Sequence, residues 1–249
     1  MTGEATRLSI IIPTLDEAAV IGRLLQSLQV LRDAGHELIL VDGGSSDDTR
    51  RLARPLVDQL LVSPPGRAGQ LNTGARAASG DVLWFLHAAS RVPRAVMMEL
   101  PDALLRAASV WGRFDVRLSG RHPMLRLVAF MMNWRSRLTG IATGDQGIFV
   151  RRSAFFAVDA FPDIPLMEDI AISRQLRRLA RPSCLRQRLV TSGRRWERHG
   201  LLKTILLMWR LRLAFACGAD PANLARHYRQ CSSQTAEYCY SPRPRKPVG

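Results

Sequence analysis

Residues 37–49 read E-L-I-L-V-D-G-G-S-S-D-D-T, and the fold is decided there. Glu37 to Val41 reads as a strand. It runs straight into Asp42-Gly43-Gly44-Ser45-Ser46-Asp47-Asp48-Thr49, where two glycines let the backbone turn tightly and approach a ligand. Ser45, Ser46 and Asp47 are N-cap candidates for the helix that follows. A strand-turn-helix unit of this kind opens a nucleotide-binding α/β fold. Asp42, at the carboxyl end of the strand, is placed to accept a hydrogen bond from a nucleobase N–H. The same residues also suit a turn that only caps and reverses the chain.

Upstream, Leu8 to Ile12 is a continuous apolar run stopped by Pro13, as expected of a strand buried on both faces of a parallel sheet. After P-T-L-D-E, the residues Val20, Ile21, Leu24, Leu25, Leu28 and Leu31 recur at helical spacing, with Gly35 as the C-cap. Downstream, Asp58 to Ser63 is a third strand and Pro64-Pro65-Gly66 a loop. Arg67 to Asp81 is a small-residue helix with Arg67, Gln70 and Asn72 in its first turns, an arrangement that favours a diphosphate and equally allows close helix packing. Val82 to Leu86 is a fourth strand, ending in the turn of W-F-L-H-A-A-S-R-V-P-R, Trp84 to Arg94.

The bulk numbers bound the remaining classes. With 249 residues, 47% of them hydrophobic, the chain buries a sizeable core and is neither disordered nor fibrous. The net charge of +15, mostly arginine, suits phosphates, nucleic acid or anionic lipid without choosing among them. Cys184, Cys217, Cys231 and Cys239 form no C-x-x-C pair, against both a zinc site and a disulfide framework. Met1 to Arg7 lacks an apolar core for secretion, so a cytoplasmic location is expected.

Several ordered motifs together resemble family 2 glycosyltransferases, in particular small bacterial enzymes of the GT-A fold that end in a basic R-R-W segment. They are P-T-L-D-E, V-D-G-G-S-S-D-D-T, the segment from Arg67 to Asp81, G-D-Q-G-I-F-V-R-R, and P-L-M-E-D-I. The likeness covers about residues 8 to 230. It implies a Rossmann-like, mostly parallel sheet flanked by helices, with a fused acceptor half and C-terminal helices. By that resemblance Pro13, Thr14, Glu17 and Asp42 hold the base and ribose of a nucleotide-diphosphate sugar, and Arg67 and Asn72 lie near base and diphosphate. Asp169 is the catalytic base beside Glu168, while Asp145 and Gln146 lie by the acceptor. Arg194, Arg195 and Trp196 close over the diphosphate or acceptor.

The chemistry fits those residue types. Inverting transfer needs a carboxylate to take the acceptor proton, and a group to stabilise the leaving diphosphate, usually Mg or Mn held by oxygen ligands. Taken alone, Glu168-Asp169 also reads as first-turn acids favoured by the helix dipole. The resemblance expects one or two aspartates in the turn after the fourth strand, but this chain has His87-Ala88-Ala89-Ser90. Alanine ligates nothing, so His87 is the turn's one candidate metal ligand, or a hydrogen-bonded structural residue. Arg91, Arg194 and Arg195 are candidates to replace the missing metal charge. A second departure is Val158-Asp159-Ala160-Phe161, where the resemblance implies a turn that is often Gly-Gly-Phe.

Past Pro93 a helix is expected to about Ala108, then a strand from Trp111 to Leu118. Met124 to Leu138 reads as a core helix with a solvated basic edge of Arg126, Asn133 and Arg137, or as a membrane-surface helix. Ile148 to Val150 is a strand. Leu201 to Cys217 is broken by Lys203, Arg210 and Arg212, which disfavours spanning and suits an interfacial helix and a lipid-linked acceptor. The expected organisation is one domain over 1–229: a nucleotide half at about 8–115, an acceptor half at about 116–200 and amphipathic helices at about 201–229. A disordered basic tail at 230–249 follows. Three readings stand: an active glycosyltransferase, peripheral at the inner membrane face; a degenerate relative that binds nucleotide or a partner without turnover; and a nucleic-acid-binding module. The last lacks any recognised motif or stacking platform, so no nucleic-acid partner is expected.

Overall fold

A computed structural model describes residues 6–94, 96–98, 110–193 and 200–228. Seven strands form one sheet in the order β3-β2-β1-β4-β6-β5-β7. They are β1 Leu8–Thr14, β2 Glu37–Asp42, β3 Gln59–Val62, β4 Val82–Phe85, β5 Trp111–Ser119, β6 Phe149–Arg151 and β7 Ser183–Ser192. β6 alone runs antiparallel to its neighbours. The expected mostly parallel sheet flanked by helices is what the chain forms.

Alternation along β1 explains the two layers. Leu8, Ile10 and Ile12 face one core with Ile21, Leu24, Leu25 and Leu28 of α1 (Ala18–Asp33). Ile11 faces the other, with Ala68, Leu71 and Ala75 of α3 (Arg67–Ala77) and Ile172 and Leu176 of α6 (Glu168–Leu179). The short helix α2 is Thr49–Ala53. Strands covered on both faces read as unbroken apolar runs because neither side meets water.

Pro13 does not stop β1; the strand continues to Thr14. The ladder with β4 ends at Ile11–Phe85, whereas the ladder with β2 continues to Thr14–Asp42. The missing N–H of Pro13 faces the side whose ladder has ended, so nothing is lost there. Two elements had no expectation from sequence: β7, and the short helix α5 (Arg152–Ala157). The helix expected past Pro93 lies mostly outside the described residues, as do 194–199 and the tail from 229.

The helix α4 (Met124–Thr139) is anchored on β5 by polar groups. Asn133 accepts from the Val116 N–H at 2.9 Å and donates to its carbonyl at 3.0 Å. These are strand groups beyond the reach of β6, which pairs only with Trp111 and Gly112. The wholly buried Arg113 donates to Asp115, to Ser136 Oγ at 3.1 Å and to the Asn133 carbonyl at 2.9 Å. Arg137 binds Asp115 through both guanidinium Nη atoms, at 2.7 and 3.0 Å. Asn133 of the expected solvated edge therefore turns inward onto β5, while Arg137 stays exposed at the rim of this polar seam; among the described residues Arg126 shows no such tie to β5. α7 (Leu201–Ala216) packs beside α4 through Ile205, and a final helical segment spans 221–228.

Candidate active site

The carboxyl ends of β1 and β4 open onto a cleft lined by Pro13, Leu86 and His87, with Arg67 from α3, Gly144, and Glu168 and Asp169 from α6. Its interatomic space is about 310 Å³, open solvent included. Crevices outside strand carboxyl ends are where α/β sheets bind ligands.

The floor is built by side chains that hold the turns. Asp42 is wholly buried, its carboxylate accepting from the Gly44 and Ser45 N–H groups at 3.0 and 2.8 Å and from the hydroxyls of Ser45 and Thr14. Gln70 donates to the carbonyls of Thr14 at 2.8 Å and Val41 at 2.9 Å, locking β1 to β2 where both end. The capping expected of Ser45, Ser46 and Asp47 is rearranged: Asp48 is the N-cap of α2, and Asp47 instead accepts from the Thr49 and Ala18 N–H groups. Asp16, at φ 53°, accepts from the Ser46 N–H at 2.8 Å, and Glu17 donates its N–H to Thr49 Oγ1 at 2.8 Å. Asn72 does not face the cleft. It donates to the Phe161 carbonyl at 2.8 Å and accepts from the Phe161 N–H at 3.0 Å, holding the 158–161 turn.

The wall holds the carboxylates. Met167, a non-glycine residue at φ 70°, precedes α6 and turns Glu168 and Asp169 into the cleft. Strain of this sort accumulates at functional sites. Asp169 Oδ1 accepts from the Ile170 N–H at 2.7 Å and Oδ2 from the Gly144 N–H at 2.9 Å, which fixes both oxygens. Glu168 is buried and meets Arg67 at 3.3 Å, whose side chain is 48% exposed. Burial, reinforced by the Asp169 charge, pushes the Glu168 carboxyl up against the opposing pull of Arg67. Asp145, 43% exposed, faces His87 at 3.9 Å and accepts from Thr191 Oγ1 at 3.2 Å. Gln146 is wholly buried and braces its own 3-10 turn, Gly144–Gln146, through Thr143.

Two arginines that interact electrostatically with Asp169 of the cleft were not foreseen. Arg135 of α4 is pushed down to about 10 by burial, with the Arg212 charge adding to the effect and Asp169 opposing it. Arg212 of α7 is lowered by burial, against the pull of Asp169 and Asp145. Each sits in phase with a buried stripe, Arg135 with Val128 and Met132 and Arg212 with Ile205 and Met208, so a charge on an apolar phase was the available signal. Arg91 is exposed, its backbone tied to Val190. Arg194, Arg195 and Trp196 lie outside the described residues.

Among the described residues the donor set does not fit a metal held by side chains. Among the described residues His87 and Asp145 face each other, and Asp169 turns both oxygens to backbone N–H groups. Among the described residues no three His, Cys, Asp or Glu side chains gather as a metal would need.

The sequence model of Glycosyl transferase family 2 matches residues 9–162. The chain belongs to glycosyl transferase family 2. The chain is 32% identical over 142 residues to an uncharacterized glycosyltransferase of Mycobacterium tuberculosis, covering 55% of this chain and 48% of the relative. It is 35% identical over 118 residues to a PGL/p-HBAD biosynthesis glycosyltransferase of Mycobacterium bovis, covering 45% and 44%. The chain thus spans about half the length of the curated relatives it matches. Its fold is that of a Pyrobaculum calidifontis mannosyltransferase solved with GDP-Man and Mn2+, at TM-score 0.62, 19% identity and coverage of 97% of this chain and 78% of that one. It is also that of the Mycobacterium tuberculosis glucosyl-3-phosphoglycerate synthase solved with Mn2+, UDP and glucosyl-3-phosphoglycerate, at TM-score 0.60, 20% identity and coverage of 86% and 81%. The fold is therefore of the GT-A type.

Proposed function

We propose that this enzyme transfers a sugar from a nucleotide-diphosphate donor to an acceptor hydroxyl with inversion, Asp169 acting as base. The observation that carries the reading is the placement of Asp169: fixed at both oxygens, it lines the same cleft as Pro13, His87 and Arg67. The acceptor oxygen attacks the anomeric carbon and its proton passes to Asp169. The bond from that carbon to the diphosphate breaks, and the nucleoside diphosphate leaves. Attack from the face opposite the leaving group inverts the centre. Arg67 meets the donor phosphates, while Thr14, Asp42 and Gln70 hold the turn against which base and ribose rest, and Glu17 borders it. Structures of the same fold hold UDP-GlcNAc and GDP-Man, which supports a nucleotide-sugar donor.

The acceptor lies at a membrane, at its inner face. α4 exposes Leu127, Phe130, Met131, Trp134 and Leu138, and α7 exposes Leu202, Leu206, Trp209 and Leu213. Neither helix holds an acidic residue, and exposed Arg126, Lys203 and Arg210 border the stripes. Apolar stripes with Trp and basic edges suit an anionic lipid surface. Among the described residues no helix is long and apolar enough to cross a membrane.

A thermal-shift panel of nucleotide diphosphates and their sugars, with manganese or EDTA, tests the donor. One nucleotide should stabilise the enzyme with little dependence on manganese; strong dependence would restore a metal-held diphosphate. Ala89 favours a second reading, a relative that binds donor without turning it over. Stabilisation by donor with neither hydrolysis nor transfer would select it.

A further inference from the structure

We propose that Arg135 and Arg212 form a phosphate-binding site beside Asp169. Arg135 points inward from α4, and its Nε and Nη2 are shielded from solvent with no hydrogen-bond partner among the described residues. The other side chains left in that condition, Trp84, Gln146 and Gln175, are neutral. A buried cation without hydrogen bonds is unfavourable, and a second buried cation, Arg212, acts upon it.

The surroundings sharpen the contrast. The neighbouring arginines of the same seam, Arg113 and Arg137, are both bound to Asp115. Among the described residues Arg135 has no such carboxylate. Asp169 acts on both arginines and Asp145 on Arg212; both Asp169 oxygens already accept from Gly144 and Ile170, and Asp145 Oδ1 accepts from Thr191. Two unused N–H donors of one planar guanidinium, with a second guanidinium near, match the oxygens of a phosphate or diphosphate. Fixed cations at that place stabilise charge that develops on a departing diphosphate, or they hold a phosphate carried by the acceptor. Only the ligand's source rests on the proposed transfer reaction; the site itself does not.

Titration calorimetry of the full chain with inorganic pyrophosphate and inorganic phosphate tests the site. Arg135→Gln and Arg212→Gln should each weaken pyrophosphate binding by about tenfold, the loss expected for a charge-assisted hydrogen bond. Asp169→Asn should bind it as tightly as the wild type or tighter, since a nearby negative charge is gone. Because Nε and Nη2 of Arg135 have no hydrogen-bond partner among the described residues, Arg135→Gln should melt no lower than the wild type without ligand. No pyrophosphate binding by the wild type, or equal affinity in both folded variants, overturns the proposal. A large fall in melting temperature of Arg135→Gln, with unchanged pyrophosphate binding by Arg212→Gln, overturns it too. Competition between inorganic phosphate and UDP assigns the site to the donor diphosphate, and simultaneous binding assigns it to an acceptor phosphate. Loss of anion binding in the arginine variants alongside transfer that survives Asp169→Asn would contradict the base and leave the site standing; the reverse pattern would do the opposite.

Discussion

The Gly144 N–H donates to Asp169 Oδ2 at 2.9 Å, so the loop before β6 sets the direction of the proposed base. Gly144 also lies against His87: a Cβ there would stand 2.3 Å from His87 Nε2. Gly144→Ala should push the imidazole aside and shift the loop that aims Asp169. Misplacement on the ångström scale can lower turnover about 10²-fold. Steady-state rates alongside melting curves check this, and the expected pattern is lost turnover with a nearly unchanged melting temperature. A variant that turns over normally would separate Gly144 from the base.

Glu168 titrates upward because it is buried and lies beside Asp169. An acid whose folded pKa is raised binds its proton more tightly folded than unfolded, so stability declines as pH climbs from the unfolded value through the folded one. Glu168→Gln should flatten that decline, with its gain over the wild type appearing above about pH 4.5, near the ordinary glutamate value. Melting temperatures across pH 4 to 8 read it out. Parallel curves for the two proteins would mean that Arg67 offsets the burial fully.

Asp159 and Ala160 sit at φ 61° and 63°, in the left-handed region that favours glycine. A side chain in the left-handed region is strained by about 1 kcal/mol. Ala160→Gly should therefore raise stability by roughly that amount, less the glycine's greater unfolded entropy. Asp159→Gly should gain less, because aspartate tolerates this conformation better. Urea unfolding of the single variants measures both.

The exposed stripes of α4 and α7 predict binding to anionic vesicles that weakens with salt. Trp134 and Trp209 are 56% and 63% exposed, so their removal disturbs the core little. Replacing both with serine should reduce vesicle binding by tenfold or more, on the order of 1.5–3 kcal/mol for each large side chain withdrawn from lipid. Sedimentation with anionic and neutral vesicles is the check. Equal, weak binding of wild type and variant would remove the membrane from the account.

Much of the fold was legible because its strands announce themselves. Leu8 to Ile12 is apolar but for Ser9, Leu38 to Val41 is apolar throughout, and D-G-G-S-S-D-D-T marks the turn after the second. β7 was not legible: S-C-L-R-Q-R-L-V-T-S carries polar groups at an edge, and its strand state is set by pairing with β5 from Gly112 to Ser119. The site was half legible. Motifs located Asp169, Glu168 and Arg67, which the cleft brings together. They could not say that Asn72 turns away to Phe161, because an amide's partner is fixed by tertiary placement 89 residues distant. Arg135 and Arg212 were hidden for a related reason: their neighbours come from other elements, and only the packing of α4 and α7 directs them inward.

The most direct measurement is sugar transfer by Asp169→Asn against the wild type, using the nucleotide sugar that best stabilises the folded enzyme. Loss of a general base should lower turnover by about 10²–10⁴-fold while donor binding persists. Transfer at the wild-type rate by a folded Asp169→Asn enzyme would contradict the account.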